Sequence, residues 1–191
     1  MSSRLLLTAF LLLGLTACQG ADDADTSAEA PATEEAAPAE APTPQIALNL
    51  SGEGLQVVVL QNASTRDINF GASSSQLLTV VETNFGPAAE DMMNDECGLR
   101  VMRWDSGLTL YFSDDAFAGW SARDTDGSLT TMAGIGPGST RAELSDALAA
   151  EFQDSSVGPM FMAGGLNGTL TGDTDEDTVD VLFAGSTCVA T

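Results

Sequence analysis

The side chains of this chain that could do chemistry are almost all carboxylates. Its 191 residues include 28 Asp and Glu, six Arg, no Lys and no His, for a net charge of −22. Without imidazole there is no Ser-His or Cys-His nucleophile and no imidazole metal ligand. Without lysine there is no P-loop and no Schiff base. Two options remain: acid–base work by a pair of facing carboxylates, as in glycoside hydrolysis, or oxygen coordination of a hard cation. The acids are not patterned for either. Ser113-Asp114-Asp115 and Asp124-Thr125-Asp126-Gly127 read as solvated turns. Asp173-Thr174-Asp175-Glu176-Asp177 alternates carboxylates as calcium loops do, yet Thr178 and Val179 follow it, and the glycine at the sixth position and the closing glutamate of a calcium loop are both absent. An exposed hairpin loop is the better reading. Gly134-Ile135-Gly136-Pro137-Gly138 lacks the spacing of a phosphate cradle, and Pro137 has no N–H to offer. It reads as a turn into a helix. The composition therefore points to a protein that is not an enzyme, with no catalytic residues, cofactor or metal. With no basic patch, it also excludes a nucleic-acid partner.

The cysteines carry a different chemistry. Arg4 precedes an apolar run from Leu5 to Leu15, which is far short of the roughly 20 residues that span a bilayer as a helix. It reads as the core of an export signal. The run ends in Leu15-Thr16-Ala17-Cys18, which resembles the bacterial lipobox. That resemblance implies a signal peptide over residues 1–17, a diacylglyceryl group on the Cys18 thiol, cleavage after Ala17 and acylation of the new amino group. Several acyl chains hold a protein on a membrane where one holds it only marginally. Gln19, rather than Asp, after the lipidated cysteine implies the outer membrane, and the protein is expected to face the periplasm.

Residues 18–45 form the tether of this reading. From Gln19 to Gln45 the chain is almost only Ala, Asp, Glu, Pro, Thr and Ser, with four prolines, seven acids and no base. Such a segment has no apolar face whose burial could offset its ordering entropy, so disorder is expected. A flexible chain of that length spans roughly 30 Å, and like charges extend it further. The remaining cysteines, Cys97 and Cys188, form an even pair in an oxidising compartment, which predicts a disulfide.

Residues 46–191 read as one α+β domain: an antiparallel sheet, or two joined end to end, with two short helices on one face. Ser73-Ser74-Ser75-Gln76 and Thr140-Arg141-Ala142-Glu143 both match a capping box. Leu77, Val81 and Phe85 follow the first and Leu144, Leu148 and Phe152 the second, at one offset of 67 residues and one helical spacing. Gly86-Pro87 stops the first helix. Three β-like runs then follow each helix: 99–104, 108–112 and 116–121 after the first, 160–163, 166–171 and 178–184 after the second. Two further runs, 55–60 and 67–70, precede the first helix. Echoes such as Ser106-Gly107-Leu108 against Gly164-Gly165-Leu166, and Ala118-Gly119 against Ala184-Gly185, predict a tandem helix-then-hairpin repeat over about residues 66–132 and 133–191.

Gly136-Pro137-Gly138-Ser139-Thr140-Arg141-Ala142-Glu143-Leu144 resembles the helix start of the small lipoproteins of the outer-membrane assembly machinery, and Phe85-Gly86-Pro87 is similar to their helix end. A tandem pair of such units also resembles the β-lactamase-inhibitor-protein fold, which implies a sheet that binds other proteins. The expected function is that of a lipid-anchored, non-enzymatic module binding an envelope protein or component. Trp104, Tyr111, Phe117 and Trp120 are the candidate contacts, aromatics being favoured at interfaces. A carboxylate-based glycan hydrolase and a passive acidic surface lipoprotein stay open as alternatives. Intact mass of the membrane-purified protein tests the anchor. The expected mass is that of residues 18–191 plus three acyl chains, and an unmodified chain overturns the reading.

Overall fold

The computed structural model describes residues 45–123 and 126–189. The signal peptide, Cys18 and nearly all of the tether lie outside the described residues. Twelve strands and two helices follow one another as β1 (Ile46–Ser51), β2 (Gly54–Val59), β3 (Ser64–Asn69), α1 (Ser74–Phe85), β4 (Glu90–Asn94), β5 (Leu99–Arg103), β6 (Leu108–Ser113), β7 (Ala116–Ala122), β8 (Thr130–Thr131), α2 (Arg141–Ala147), β9 (Glu151–Ser155), β10 (Gly158–Ala163), β11 (Leu166–Leu170) and β12 (Val179–Gly185). The protein is a mostly-sheet α+β fold. A four-stranded sheet has the order β3-β2-β1-β8, and an eight-stranded sheet the order β4-β5-β6-β7-β12-β11-β10-β9. All the named pairings are antiparallel except β1 with β8.

The larger sheet is two four-stranded meanders joined edge to edge. At the seam β7 and β12 pair through Ala122–Leu182, Ser121–Phe183, Trp120–Ala184 and Gly119–Gly185. Gly119 and Gly185 therefore face one another across the seam. A Cβ on Gly119 would run into the carbonyl oxygens of Ser186 and Ala184, so the chain leaving β12 needs a glycine beneath it.

Alternation assigns each strand's residues to two faces. One face joins the main core: Leu108, Leu110, Phe112, Phe117 and Trp120 from the first meander, Phe161, Leu166 and Leu182 from the second. Leu77 and Val81 of α1, Leu144 of α2 and Leu48, Leu50, Leu55 and Ile68 of the small sheet pack into the same core. Two indoles tie these elements to the sheet. Trp120 Nε1 donates to Ser51 O at 3.0 Å, at the end of β1, and Trp104 Nε1 donates to Gly86 O at 2.9 Å, at the C-cap of α1.

Four local expectations are corrected. Each helix is followed by four strands of the large sheet rather than three, because β4 and β9 join as its two edges, and β8 of the small sheet comes after the first four. Residues 46–51 form a further strand, β1, paired along its whole length with β2. The first capping box does not form: Ser73 Oγ lies 2.9 Å from Ser75 Oγ, and the Ser74 N–H donates instead to Asp115 O at 2.8 Å. A carbonyl from the neighbouring hairpin supplies the cap that the local sequence promised. The second capping box does form, but α2 stops at Ala147, and Phe152 lies on β9 opposite Phe161. Seven helical residues are marginal by themselves, and pairing with β10 claims the rest. Phe152 still packs near α2, under the Arg141 guanidinium, whose Cζ is 3.8 Å from the ring centroid.

Trp120, fully buried, joins the small sheet to the large one. Trp120→Ala is expected to destabilise the domain by about 3–5 kcal/mol, and Trp120→Phe, which removes the donor to Ser51, by about 1–2 kcal/mol. Urea unfolding of both variants checks this, and equal losses would refute the role given to the indole N–H.

Candidate functional site

Of the four aromatic residues expected at contacts, three are core. Trp104, Phe117 and Trp120 are 4 %, 1 % and 0 % exposed and belong to the main hydrophobic cluster. Phe117 and Trp120 cannot touch a partner without unfolding, while Trp104 also borders a groove on the outer face of the large sheet. A bulge explains why Phe117 and Trp120, three residues apart, share a face. Tyr111 pairs with Gly119 and Phe112 with Phe117, which leaves Ala118 as the extra residue. Tyr111 alone of the four lies on the opposite, outer face, where it packs with Leu99, Val101, Ala118, Cys97 and Cys188.

The outer face carries the disulfide. Cys97 is bonded to Cys188, with Cα atoms 5.7 Å apart, at a sequence separation of 91. The chain turns out of β12 at Gly185, Ser186 N donates to Ala118 O at 2.9 Å, and residues 186–189 form a strap tied to the β4–β5 loop. Val189 packs against Met160, Val181 and Phe183. In the chain-entropy model a closed loop of this length contributes about 4–5 kcal/mol.

The acidic tracts act as caps. In the β6–β7 turn, Asp114 and Asp115 adopt left-handed backbone, at φ 48° and 64°, and Asp115 O receives the first amide of α1. In the β11–β12 loop, Asp177 O accepts from Arg141 N at 2.7 Å and Asp175 O from Ala142 N at 3.1 Å, at the start of α2. Each helix N-terminus thus meets an acidic turn, the favourable sign for its dipole. The Asp177 carboxylate closes its own loop, accepting from Thr174 N and Oγ1 and from Thr171 Oγ1. Those bonds, the Thr174 hydroxyl foremost, hold its pKa below the ordinary value. Glu143 is also held low, first by the Thr140 backbone N–H and then by its hydroxyl. Asp91 is lowered by its two hydrogen bonds from Arg100. All three shifts favour the charged form, the opposite of what a general acid requires. No carboxylate is buried and no metal-holding group of three ligands occurs among the described residues.

The outer face also holds a groove of about 500 Å³ between Arg103, Thr109, Tyr111, Ser121, Arg123 and Val181, with Val189 of the strap at its side. Strand register assembles it. Arg103 pairs with Thr109 and Thr109 with Ser121, which places them in one row, while Arg123 follows the β7 end. At its floor Tyr111 and Ser121, 5 % and 7 % exposed, share a hydrogen bond of 3.1 Å. Arg103 Nη1 is held by Glu90 at 2.8 Å and Arg123 Nη2 by Asp180 at 3.2 Å. Such exposed pairs contribute little stability, but they orient the guanidiniums. The two arginines, Thr109 and Ser121 carry no motif in the sequence. The only trace is their period-two spacing, 109 with 111 and 121 with 123. A second cavity, of about 420 Å³ beside α2, includes Glu143, whose carboxylate is already engaged by Thr140. No helix of the described residues is long and apolar enough to cross a membrane.

No protein-family model, curated protein or solved structure matches the chain.

Glu143 and Asp177 sit below their ordinary values of 4.5 and 3.8. Groups depressed on folding contribute stability above the unfolded pKa and lose it as pH falls through the folded one. Thermal stability is expected to drop as pH falls from about 5 toward 3, and to drop less steeply in a Thr140→Val, Thr174→Val double variant. Equal slopes for variant and parent would refute the assignment.

Proposed function

We propose that the protein is a lipid-anchored envelope lipoprotein of the outer membrane, facing the periplasm, whose folded domain binds an envelope protein through the outer face of its eight-stranded sheet. The single observation that carries this is the asymmetry of that sheet. One face is filled by α1, α2 and the small sheet. Over the other, the described residues place only the strap 186–189. An antiparallel sheet commonly leaves one face toward solvent, and here the strap covers Leu99, Val101, Tyr111, Met160, Val181 and Phe183, so a partner would dock around it. The edges of that face expose Met92 and Met162, at 46 % and 40 %, and methionine suits adaptable contacts.

The anchor and tether support the same reading. Leu15-Thr16-Ala17-Cys18 and the acidic, proline-rich segment behind it fit a domain held clear of the bilayer. The domain's charge would repel an anionic surface, so attachment by lipid is consistent with its composition.

We also read the domain as a duplicated unit of one helix and four strands. The mirrored strand order supports this, as do two matching bridges. Ser73, ahead of α1, bridges to Ala116 at the start of β7, and Thr140, ahead of α2, bridges to Thr178 just before β12. The seam would then be the pseudo-twofold contact.

Site-specific photocrosslinking in cells is the test. A crosslinker at Met92 or Met162 is expected to capture a discrete envelope protein, while one at Leu60, on the small sheet, is not. No adduct from either outer-face position would overturn the reading.

A further inference from the structure

The geometry points to a small-molecule site in the Arg103–Arg123 groove: we propose that it takes an organic carboxylate with an apolar body. This inference concerns the chain's own groove and does not rest on a protein partner.

The lining argues for the sign of charge. Two guanidiniums border the groove, whereas Glu90 and Asp180, which hold them, are not part of its wall. The wall therefore presents guanidinium N–H donors whose charge is balanced by carboxylates at 2.8 and 3.2 Å. Each guanidinium has five N–H donors, and one from each is committed to its carboxylate partner. The planar fork that remains matches a carboxylate, and such charge-assisted bonds are the strong kind.

The floor argues for an oxygen acceptor. Tyr111 and Ser121 have two hydroxyl hydrogens between them, and their mutual bond uses one. The other is a donor at the bottom of the groove, on side chains more than nine-tenths buried. Thr109 adds a third hydroxyl on the row between Arg103 and Ser121. Leaving a buried donor unmatched costs free energy that an incoming oxygen would recover.

The side walls argue for an apolar body. Val181 comes from β12 and Val189 from the strap, and neither offers a polar side-chain atom. A space of about 500 Å³ falls within the range of small-molecule sites. The strap completes this wall only because the Cys97–Cys188 bond holds it, so the site belongs to the oxidised protein.

Tyr111 is the single tyrosine of the chain, so its ring is a built-in reporter. The full-length protein, labelled with ring-carbon-13 tyrosine and held in detergent, is titrated with sodium hexanoate and the Tyr111 resonances are followed by NMR. A saturable shift is expected with hexanoate, and none with hexanamide, its neutral isostere. In a doubly substituted Arg103→Gln, Arg123→Gln protein the affinity is expected to fall at least about tenfold. The hexanamide control needs no variant, so the proposal stays testable if that protein fails to fold. No shift up to about 10 mM hexanoate, well beyond ordinary ligand affinities, overturns the site. An equal response to hexanamide overturns the role of the carboxylate. An equal response to sodium sulfate overturns the apolar body.

Discussion

Everything in this domain depends on the four backbone pairs by which β7 meets β12. Without that seam the chain would make two separate four-stranded meanders. With it, one continuous surface runs across eight strands, and residues of α1, α2 and the small sheet join its main core cluster. The seam places strict demands on the backbone. Gly119 lies beneath the carbonyl of Ser186, and Gly185, at φ 73°, turns the chain out of the sheet to begin the strap.

The core layer is held by directional bonds as well as by burial. Trp120 reaches the end of β1 and Trp104 the end of α1, so each indole spends its one donor on a carbonyl of another element. The acidic turns do the matching work at the helix starts. Asp115 closes α1, while Asp175 and Asp177 close α2, all through main-chain oxygens. Part of the negative charge outside the tether thus sits in turns whose geometry a helix needs. The same turns leave no paired carboxylates in a cleft.

The outer face is organised by the disulfide. Cys97 and Cys188 hold the strap over Tyr111, Val101 and Leu99, and Val189 covers Met160, Val181 and Phe183. Beside the strap the same face presents two arginines and three hydroxyls. At the edges of the sheet, Asp91 on β4 pairs with Arg100, and β9 carries Glu151 and Asp154. Charges of this kind discourage pairing with another sheet.

The sequence by itself determined the period-two runs of the inner strands, the start of both helices, the end of the first, and the two cysteines that pair. Each of these depends on residues close together in the chain or on simple arithmetic of residue types, which is why they were legible. The edge strands were not. Glu90-Asp91-Met92-Met93-Asn94 has no apolar alternation, because an edge strand with mostly exposed residues has no buried face to write into its sequence. Phe152 fitted a helical stripe that only the partner strand β10 could overrule. The faces of Trp104, Phe117 and Trp120, the tertiary cap on α1 and the assembly of the groove were decided by tertiary structure alone. Each depends on register between segments distant in sequence. That register is fixed by which apolar face must be buried and against what, and no local pattern records it.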